Sequence, residues 1–239
     1  MGELLITLLP LGLGIIMSPL AIMALVAVLV SQNARRNGIA FLLGWITAIV
    51  LIMLLCFWIF SSLTPGDRGP AATWVSVLRL IVGVFLVLSA VYMWLRGRHQ
   101  IREMAAAVSP TDVVEAAPQL PGWLRAVDKF NPGRSYLLGI GIFVLNPVDL
   151  SCAVIATLDI HLAQLDFGPT LVTSLIFGLV AASPILIPVI IVLVKGKGAD
   201  GFLQGARTWI AGNTNILNGI LLAIIGFMQL SKAIQDLLA

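Results

Sequence analysis

Charged residues are scarce in this sequence. Only 10% of the 239 residues are charged and 59% are hydrophobic, whereas a soluble domain carries about 25% charged residues. So little charge cannot cover a surface that faces water, which excludes a soluble protein and indicates a polytopic membrane protein. The net charge of +3 would hint weakly at nucleic-acid binding in a soluble protein. In a membrane protein its distribution matters more, and we expect no nucleic-acid partner.

Cysteine and histidine are equally rare. Cys56 and Cys152 lie inside predicted helices, and neither has a partner at CxxC or metal-ligand spacing. They indicate buried small apolar residues and not a disulfide or redox motif. His99 and His161 lie near predicted helix ends and match no metal motif such as HExxH. Since no nucleophile is paired with a base either, we expect no enzyme activity and no cofactor.

Long apolar runs dominate the sequence. A helix needs about 20 apolar residues to cross a bilayer. The first run carries Glu3 where a signal peptide would be basic, and it is too long for a signal, so we interpret it as a retained helix. We therefore predict an all-α integral membrane protein with little chain left for a soluble domain. Its six predicted transmembrane helices cover residues 4–30, 39–62, 74–95, 135–158, 169–194 and 214–236.

Lysine and arginine are distributed unevenly among the connections. Two follow the first helix, six lie between the third and fourth, and three lie between the fifth and sixth, so eleven of the fourteen fall on one side. The positive-inside rule makes that side cytoplasmic. We therefore expect a multi-pass plasma-membrane protein with both termini extracytoplasmic. The three cations outside these connections are Arg68, Arg79 and Lys232.

The one sizeable polar connection is predicted at residues 96–134. Its middle is rich in small residues and proline, which is typical of a flexible linker. Residues 121–134 alternate apolar and charged side chains at helical spacing, which predicts a short helix on the cytoplasmic interface. The linker thus separates residues 1–95 from residues 135–239.

Three predicted helices contain a small polar residue directly before proline. These pairs are Ser18-Pro19, Asn146-Pro147 and Ser183-Pro184. Proline removes a backbone donor and breaks or kinks a helix. In a membrane, the freed carbonyls need a neighbouring helix, a hydroxyl or a wet cavity. One isolated proline would indicate a plain kink, but the sequence predicts breaks in the first and fourth helices and a further one in the fifth.

The first and fourth helices also resemble each other. Residues 11–29 and 138–158 both open with Leu-Gly-x-Gly-Ile and then place a small polar residue before proline, although one inserted residue is required. Equivalent helices would make each half three spans long, and an odd number of spans inverts the second half. We therefore predict two inverted three-helix repeats, residues 1–95 and 135–239. Many secondary transporters with this plan bind substrate near the midplane, where broken helices meet.

Asp149 and Arg79 are ionisable residues inside predicted spans, which marks them as functional candidates. Asp149 could couple transport to protons or bind a cationic or hydroxyl-rich group. It could also be a neutral carboxyl bonded to a neighbouring helix, or the partner of Arg79. Arg79 could instead snorkel to the headgroups or contact a substrate anion. The candidate substrate or coupling site therefore comprises Ser18, Pro19, Arg79, Asn146, Pro147, Asp149, Ser183 and Pro184.

Three segments, residues 18–45, 121–150 and 206–230, resemble the signature regions of the actinobacterial GAP family. This family is also called the sulfolipid-addressing or glycopeptidolipid-addressing protein family, and it belongs to the lysine exporter superfamily. The resemblance covers nearly the whole chain apart from residues 104–119. It implies a six-helix plasma-membrane protein, built from two three-helix repeats, that helps to move glycolipids towards the envelope surface.

The resemblance implies membrane lipids or a glycolipid substrate as partners, and a homo-oligomer or a larger export machinery remains possible. The sequence departs from the family's usual Asn-Pro-Lys-Asn-Leu pattern, because Val148 stands where lysine is common and Asp149 where asparagine is common. This exchange reverses the local charge and leaves the substrate class open. The alternatives are an exporter of a small amino acid or cation and a non-transporting scaffold of a lipid-export complex.

Overall fold

The computed structural model describes residues 2–31, 33–63, 73–106, 131–195 and 200–238. Within these ranges the chain is helical and contains no strand. The eight helices are α1 (Gly2–Ile16), α2 (Pro19–Val30), α3 (Ala34–Leu63), α4 (Thr73–Ala106), α5 (Pro132–Leu145), α6 (Pro147–Leu162), α7 (Phe167–Lys195) and α8 (Asp200–Leu238).

Four helices are long and apolar enough to cross a membrane alone: α3, α7, residues Thr73–Leu95 of α4, and Gly219–Leu238 of α8. The other four helices are shorter than a bilayer requires, and they form two bent pairs. The axes of α1 and α2 differ by 52°, and those of α5 and α6 by 72°. The protein is therefore a multi-pass membrane protein with four spans, or up to six if each bent pair crosses once.

Two helices extend beyond the predicted spans. α4 continues to Ala106, inside the predicted linker, and α8 already begins at Asp200, 14 residues before the last predicted transmembrane helix at 214–236. Hydropathy marks only the part of a helix that suits hydrocarbon, whereas the helical hydrogen bonds continue in polar sequence. Residues 107–130 lie outside the described ranges, as does most of the predicted interfacial helix. The described chain resumes at Asn131, whose side chain accepts a hydrogen bond from the Arg134 amide and caps α5.

The bundle is apolar both inside and outside. Its core contains fully buried side chains such as Ile15, Trp45 and Phe143, while large apolar side chains such as Trp58 and Phe227 are exposed. A soluble protein could not expose so much apolar surface without aggregating. In a bilayer these side chains contact lipid, so the distribution agrees with the predicted membrane class.

α3 and α5 touch backbone to backbone through two glycines. A Cβ atom on Gly44 of α3 would overlap the carbonyl of Tyr136, and one on Gly139 of α5 would overlap the carbonyl of Phe41. Small residues at such crossings let membrane helices approach closely, which favours association where no hydrophobic effect drives it. Gly44 and Gly139 therefore fix the distance between α3 and α5.

α4 and α8 form a second close pair. A Cβ atom on Gly226 would lie 3.0 Å from the Gly83 carbonyl oxygen, and one on Gly83 would lie 3.0 Å from the Leu230 amide nitrogen. Nearer the other end, Gly219 faces Ala90. The contact positions rise along α4 from residue 83 to residue 90 while they fall along α8 from residue 230 to residue 219. The two helices are therefore antiparallel. Gly226 is a close packing position between α4 and α8.

α7 is continuous, although a break was predicted at Ser183-Pro184. Pro184 cannot donate to the Val180 carbonyl, but the Ser183 hydroxyl donates to that carbonyl at 2.7 Å. The Trp45 indole donates to the Ala181 carbonyl at 3.1 Å. Because both carbonyls have donors, the helix tolerates the proline, and the predicted break is wrong.

Candidate functional site

The two helix breaks have nearly the same backbone geometry. Ser18 joins α1 to α2 with φ −64° and ψ 107°, and Asn146 joins α5 to α6 with φ −83° and ψ 106°. Each residue is extended and is followed by proline as the first residue of the next helix. Proline suits that position because its fixed φ is helical and an amide there would have no partner within the helix. The prolines therefore begin new helices and do not merely kink continuous ones.

Asn146 links the breaks through its side chain. Its Oδ1 accepts a hydrogen bond from the Val148 amide at 3.1 Å, which caps α6. Its Nδ2 donates to Ser18 Oγ at 2.8 Å and to Asp149 Oδ2 at 2.7 Å. The Asn146 side-chain amide thus caps the start of α6 and hydrogen-bonds it to the break in the other half of the chain.

Asp149 completes a closed triangle of hydrogen bonds. The Ser18 hydroxyl donates to Asp149 Oδ2 at 3.0 Å, and the Asp149 side chain is fully buried. We call Ser18, Asn146 and Asp149 the polar junction. In the described part of the chain, Asp149 Oδ1 has no hydrogen-bond partner. That oxygen is a place where a proton, a cation or a substrate hydroxyl can bind.

The two breaks contribute differently to the polar junction. The Ser18 side chain makes no cap bond to α2, and its hydroxyl is directed to Asp149. At the position that corresponds to Asp149, the first half has the fully buried Ala21. Asp149 lies in the first turn of α6, where the helix dipole stabilises a negative charge. The first break therefore supplies a donor, and the second supplies the carboxylate.

The structure brings together only part of the predicted site. Ser18, Asn146 and Asp149 form the polar junction, and Pro19 and Pro147 begin the helices that leave it. The Ser183 hydroxyl bonds to a carbonyl of its own helix and does not join the polar junction. Pro184 lies within the same continuous helix, so these two residues support α7.

Arg79 binds a different carboxylate from the one considered in the sequence. Its Nη2 lies 2.8 Å from Asp159 Oδ1, and Lys232 Nζ lies 3.1 Å from Asp159 Oδ2. Arg79 therefore has a buried carboxylate as its partner, but that carboxylate is Asp159 and not Asp149. We call Arg79, Asp159 and Lys232 the charge cluster. Asp159 and Lys232 were missed because Asp159 lies one residue beyond the predicted span and Lys232 near the end of the last one.

An apolar groove of about 260 Å³ lies between α1 and α7 and is partly open at the surface of the bundle. It contains no charged side chain. A groove of this composition can accept hydrocarbon but offers nothing to a polar solute. Its lining residues are Leu5, Ile6, Leu8, Leu9, Ile176, Phe177 and Val180.

Among the described residues, no three histidine, cysteine, aspartate or glutamate side chains lie close enough together to hold a metal ion. Cys56 and Cys152 are both buried and unpaired, as the sequence predicts. Three acidic or basic side chains are buried in the described part of the chain, and all belong to the polar junction or the charge cluster: Arg79, Asp149 and Asp159.

Comparison with known families connects this geometry to a group of proteins. A family model described as Sap, sulfolipid-1-addressing protein, matches residues 8–235. No curated protein and no solved structure matched the chain. The matched range includes both helix breaks, the polar junction and the charge cluster.

Proposed function

Because this match spans nearly the whole chain, the protein belongs to the sulfolipid-1-addressing protein family, and we propose that it helps to export a lipid or glycolipid of the cell envelope. It would act as a transporter or as a transport accessory. The family resemblance read from the sequence is confirmed by the match, while membership of the lysine exporter superfamily stays a prediction. The proposal involves no catalytic step.

The observation that carries the proposal is the polar junction. Two helix breaks that lie 128 residues apart meet through the Asn146–Ser18 hydrogen bond, inside a mainly apolar bundle. Broken helices that meet in this way form the substrate and coupling sites of many secondary transporters. A buried carboxylate with one oxygen free of partners is costly for stability alone, which favours a role for Asp149 in transport.

We further propose six spans arranged as two inverted repeats. The equal backbone geometry at Ser18 and Asn146 supports equivalence of the two bent pairs. The helix contacts support it as well, because α3 packs on α5 as α7 packs on α1, and α2 contacts α8 as α6 contacts α4. These are the pairs that exchange if residues 1–95 and 135–239 are related by an approximate two-fold axis.

A lipid fits the described surfaces better than a small solute. The groove between α1 and α7 is apolar and partly open, which suits an acyl chain, whereas an amino acid or cation exporter needs a sealed polar cavity. In our proposal an acyl chain lies in this groove and a polar headgroup reaches the polar junction. The substrate would enter sideways from the bilayer.

Orientation follows from the basic connections. We propose a plasma-membrane location with these connections in the cytoplasm and both termini outside, in accordance with the positive-inside rule. The end of the bundle that holds the charge cluster would then be extracytoplasmic. Membrane lipids would be the immediate partners, and a homo-oligomer or a larger export machinery could complete the path across the envelope.

The test is a gene deletion followed by profiling of the lipids extractable from the cell surface. We expect the deletion to lose one class of surface lipid and the wild-type gene to restore it. Asp149→Asn preserves the shape of the polar junction but removes the ionisable group, so we expect restoration to fall about tenfold, the effect of roughly 1.4 kcal/mol. Asp166→Asn is the matched control, because Asp166 is exposed in the connection before α7.

An unchanged lipid profile in the deletion strain would contradict the proposal. Full restoration by Asp149→Asn, at equal protein level, would instead favour the scaffold, which has no use for a carboxylate at the polar junction. Lipid loss with the Asp149 variant but not with the Asp166 variant supports direct participation in transport.

A further inference from the structure

The charge cluster holds three ionisable side chains from three helices at one end of the bundle. Arg79 lies near the start of α4, Asp159 near the end of α6 and Lys232 near the end of α8. The side chains of Arg79 and Asp159 are only 9% and 5% exposed, whereas that of Lys232 is 30% exposed. The cluster is therefore buried at Arg79 and opens to the outside at Lys232.

The charges in this cluster do not balance. Two cations share the single carboxylate of Asp159, so the cluster carries one surplus positive charge, next to the partly exposed Lys232. In the described ranges no other carboxylate forms an ion pair with either cation. Asp236 lies one turn after Lys232 on α8, but its side chain is exposed, and His161 on α6 packs its ring against aromatic side chains of α3. A second cation beside a buried ion pair attracts an anion, so a bound anion would stabilise the cluster.

Two hydrogen-bond donors on α4 have no partner in the described structure. In the described structure, Arg79 Nε is buried and has no hydrogen-bond partner, and the same holds for the hydroxyl of Ser76. Ser76 lies three residues before Arg79, on the same face of α4. A guanidinium presents donors in a planar fork that fits the oxygens of sulfate or phosphate. Nη2 binds Asp159, and Nε remains available.

We propose that the charge cluster is a binding site for an oxyanion, namely a sulfate or phosphate ester group, held by Arg79 and Lys232 together. Lys232 meets the anion at the surface, and Arg79 Nε binds one of its oxygens at depth. The anion can be the headgroup of an anionic lipid or a free inorganic ion, since both present the same oxygens. The lipid form of this inference rests on the proposed function, while anion binding itself requires no transport.

The experiment uses the full-length protein in phosphatidylcholine nanodiscs with three kinds of addition. One set contains a sulfated galactolipid, the second contains the same galactolipid without its sulfate, and the third receives inorganic sulfate at constant ionic strength. Lipid retained by the protein is counted by native mass spectrometry, and the midpoint of thermal unfolding is measured in parallel. We expect retention of the sulfated lipid to exceed that of its uncharged parent by about tenfold, the value of one charge-assisted hydrogen bond.

Three variants test whether the surplus positive charge of the cluster is responsible for anion binding. Arg79→Gln and Lys232→Met each leave one cation paired with Asp159, so the folded variants should lose the preference for sulfate while keeping a balanced pair. Asp159→Asn leaves two cations without a carboxylate, and we expect the anion to raise its unfolding temperature more than that of the wild type. Arg36→Gln removes an exposed arginine from the first turn of α3 and should bind the anion as the wild type does.

The lipid additions, free sulfate and the variants answer two questions. They show whether the site binds an anion, and whether that anion is a lipid headgroup or an inorganic ion. A preference for the sulfated lipid with no effect of free sulfate assigns the site to a headgroup, and the reverse assigns it to an inorganic ion. Equal retention of both lipids together with no stabilisation by free sulfate overturns the proposal, as does an unchanged preference in folded Arg79→Gln and Lys232→Met. Absence of anion binding by the wild-type protein, together with a deletion strain that still loses its surface lipid, would reject this site and leave the proposed function standing.

Discussion

At the scale of single residues, substitution of Asn146 removes the most hydrogen bonds from the polar junction. Its side chain caps α6 through Val148 and bridges Ser18 to Asp149. Ser18 makes one hydrogen bond to the carboxylate and accepts one from Asn146. Asparagine can serve all these partners because its amide has both a carbonyl and two N–H donors. The polar junction therefore depends more on Asn146 than on either of its neighbours.

We predict that Asn146→Ala lowers the free energy of unfolding by about 2–4 kcal/mol, since it removes a cap and leaves Asp149 with a single donor. Ser18→Ala removes two hydrogen bonds and should cost about 1 kcal/mol, since one bond between membrane helices contributes roughly 0.6 kcal/mol on average. The measurement is unfolding in mixed micelles, followed by tryptophan fluorescence. Asn131→Ala is the control, because Asn131 is exposed and its side chain caps α5, so its loss should cost about 1 kcal/mol.

A cycle with Asp149→Ala decides whether the polar junction acts as a unit. The costs of Ser18→Ala and Asp149→Ala should not add, because each removes the same hydrogen bond. Additive costs, or an Asn146→Ala variant no less stable than Asn131→Ala, would show that the three side chains do not stabilise one another.

All three residues of the polar junction were predicted as site residues from the sequence, whereas only Arg79 of the charge cluster was. Ser18, Asn146 and Asp149 stand beside prolines in apolar runs, and such residues attract attention locally. The pairing of Arg79 with Asp159 depends on how α4, α6 and α8 assemble, and Asp159 seemed to lie outside the span. Few charges occur in the apolar part of this chain, so a search for opposite charges at the same membrane depth would have joined Arg79, Asp159 and Lys232.

At the scale of helices, close glycine contacts set the spacing of the bundle. Gly139 faces the Phe41 carbonyl of α3, whereas Gly141, two residues further along α5, has no atom within 4 Å of where its Cβ would be. Both glycines belong to the same Leu-Gly-x-Gly motif. The sequence presents them as equivalent, but α5 turns only Gly139 towards α3.

These two glycines provide a matched pair of variants. We predict that Gly139→Ala destabilises the protein by about 1–3 kcal/mol, because its methyl group overlaps backbone that cannot move aside. Gly141→Ala should be neutral or stabilising by up to about 1 kcal/mol, since alanine is the better helix former. Thermal unfolding of the two purified variants under identical conditions is the measurement. Equal effects of the two substitutions would mean that α3 and α5 are not in backbone contact.

The three polar-proline pairs show that local sequence alone does not determine whether a helix breaks. Ser18-Pro19 and Asn146-Pro147 break their helices, while Ser183-Pro184 does not. In α7, the Ser183 hydroxyl bonds the carbonyl that proline leaves free, and Trp45 supplies a second donor from α3. In α6 the polar side chain is engaged in capping and bridging. The outcome thus depends on whether the polar side chain before proline bonds its own helix or a neighbouring one, and helix packing decides this, which no local pattern reveals.

At the scale of the whole molecule, the number of spans depends on the two bent pairs. α1 has 15 residues and α2 has 12, so at about 1.5 Å per residue neither crosses the roughly 30 Å of hydrocarbon alone. Together they are long enough to cross once, in which case their outer ends lie on opposite sides. If the pair instead forms a re-entrant loop, both ends lie on the same side, and the chain has no inverted repeat.

Cysteine labelling in intact cells distinguishes these arrangements. Cys56 and Cys152 are buried and should not react with a membrane-impermeant maleimide, which leaves added cysteines as the reporters. Glu3→Cys, exposed at the start of α1, should be labelled from outside, and Arg36→Cys, exposed at the start of α3, only after the cells are permeabilised. The second pair should repeat this result in reverse order, with Arg134→Cys protected and Asp166→Cys labelled. All four positions are exposed in the structure.

Each pattern of labelling has a definite meaning for the molecule. The expected pattern makes each bent pair a single crossing, opposite in direction, and places the charge cluster at the extracytoplasmic end, because α4 starts and α6 ends there. Labelling of Glu3→Cys and Arg36→Cys from the same side would make α1 and α2 a re-entrant loop and reject the inverted repeat. Labelling of Arg36→Cys and Arg134→Cys alone would keep six spans but reverse them, so that the oxyanion site faces the cytoplasm and collects its ligand there.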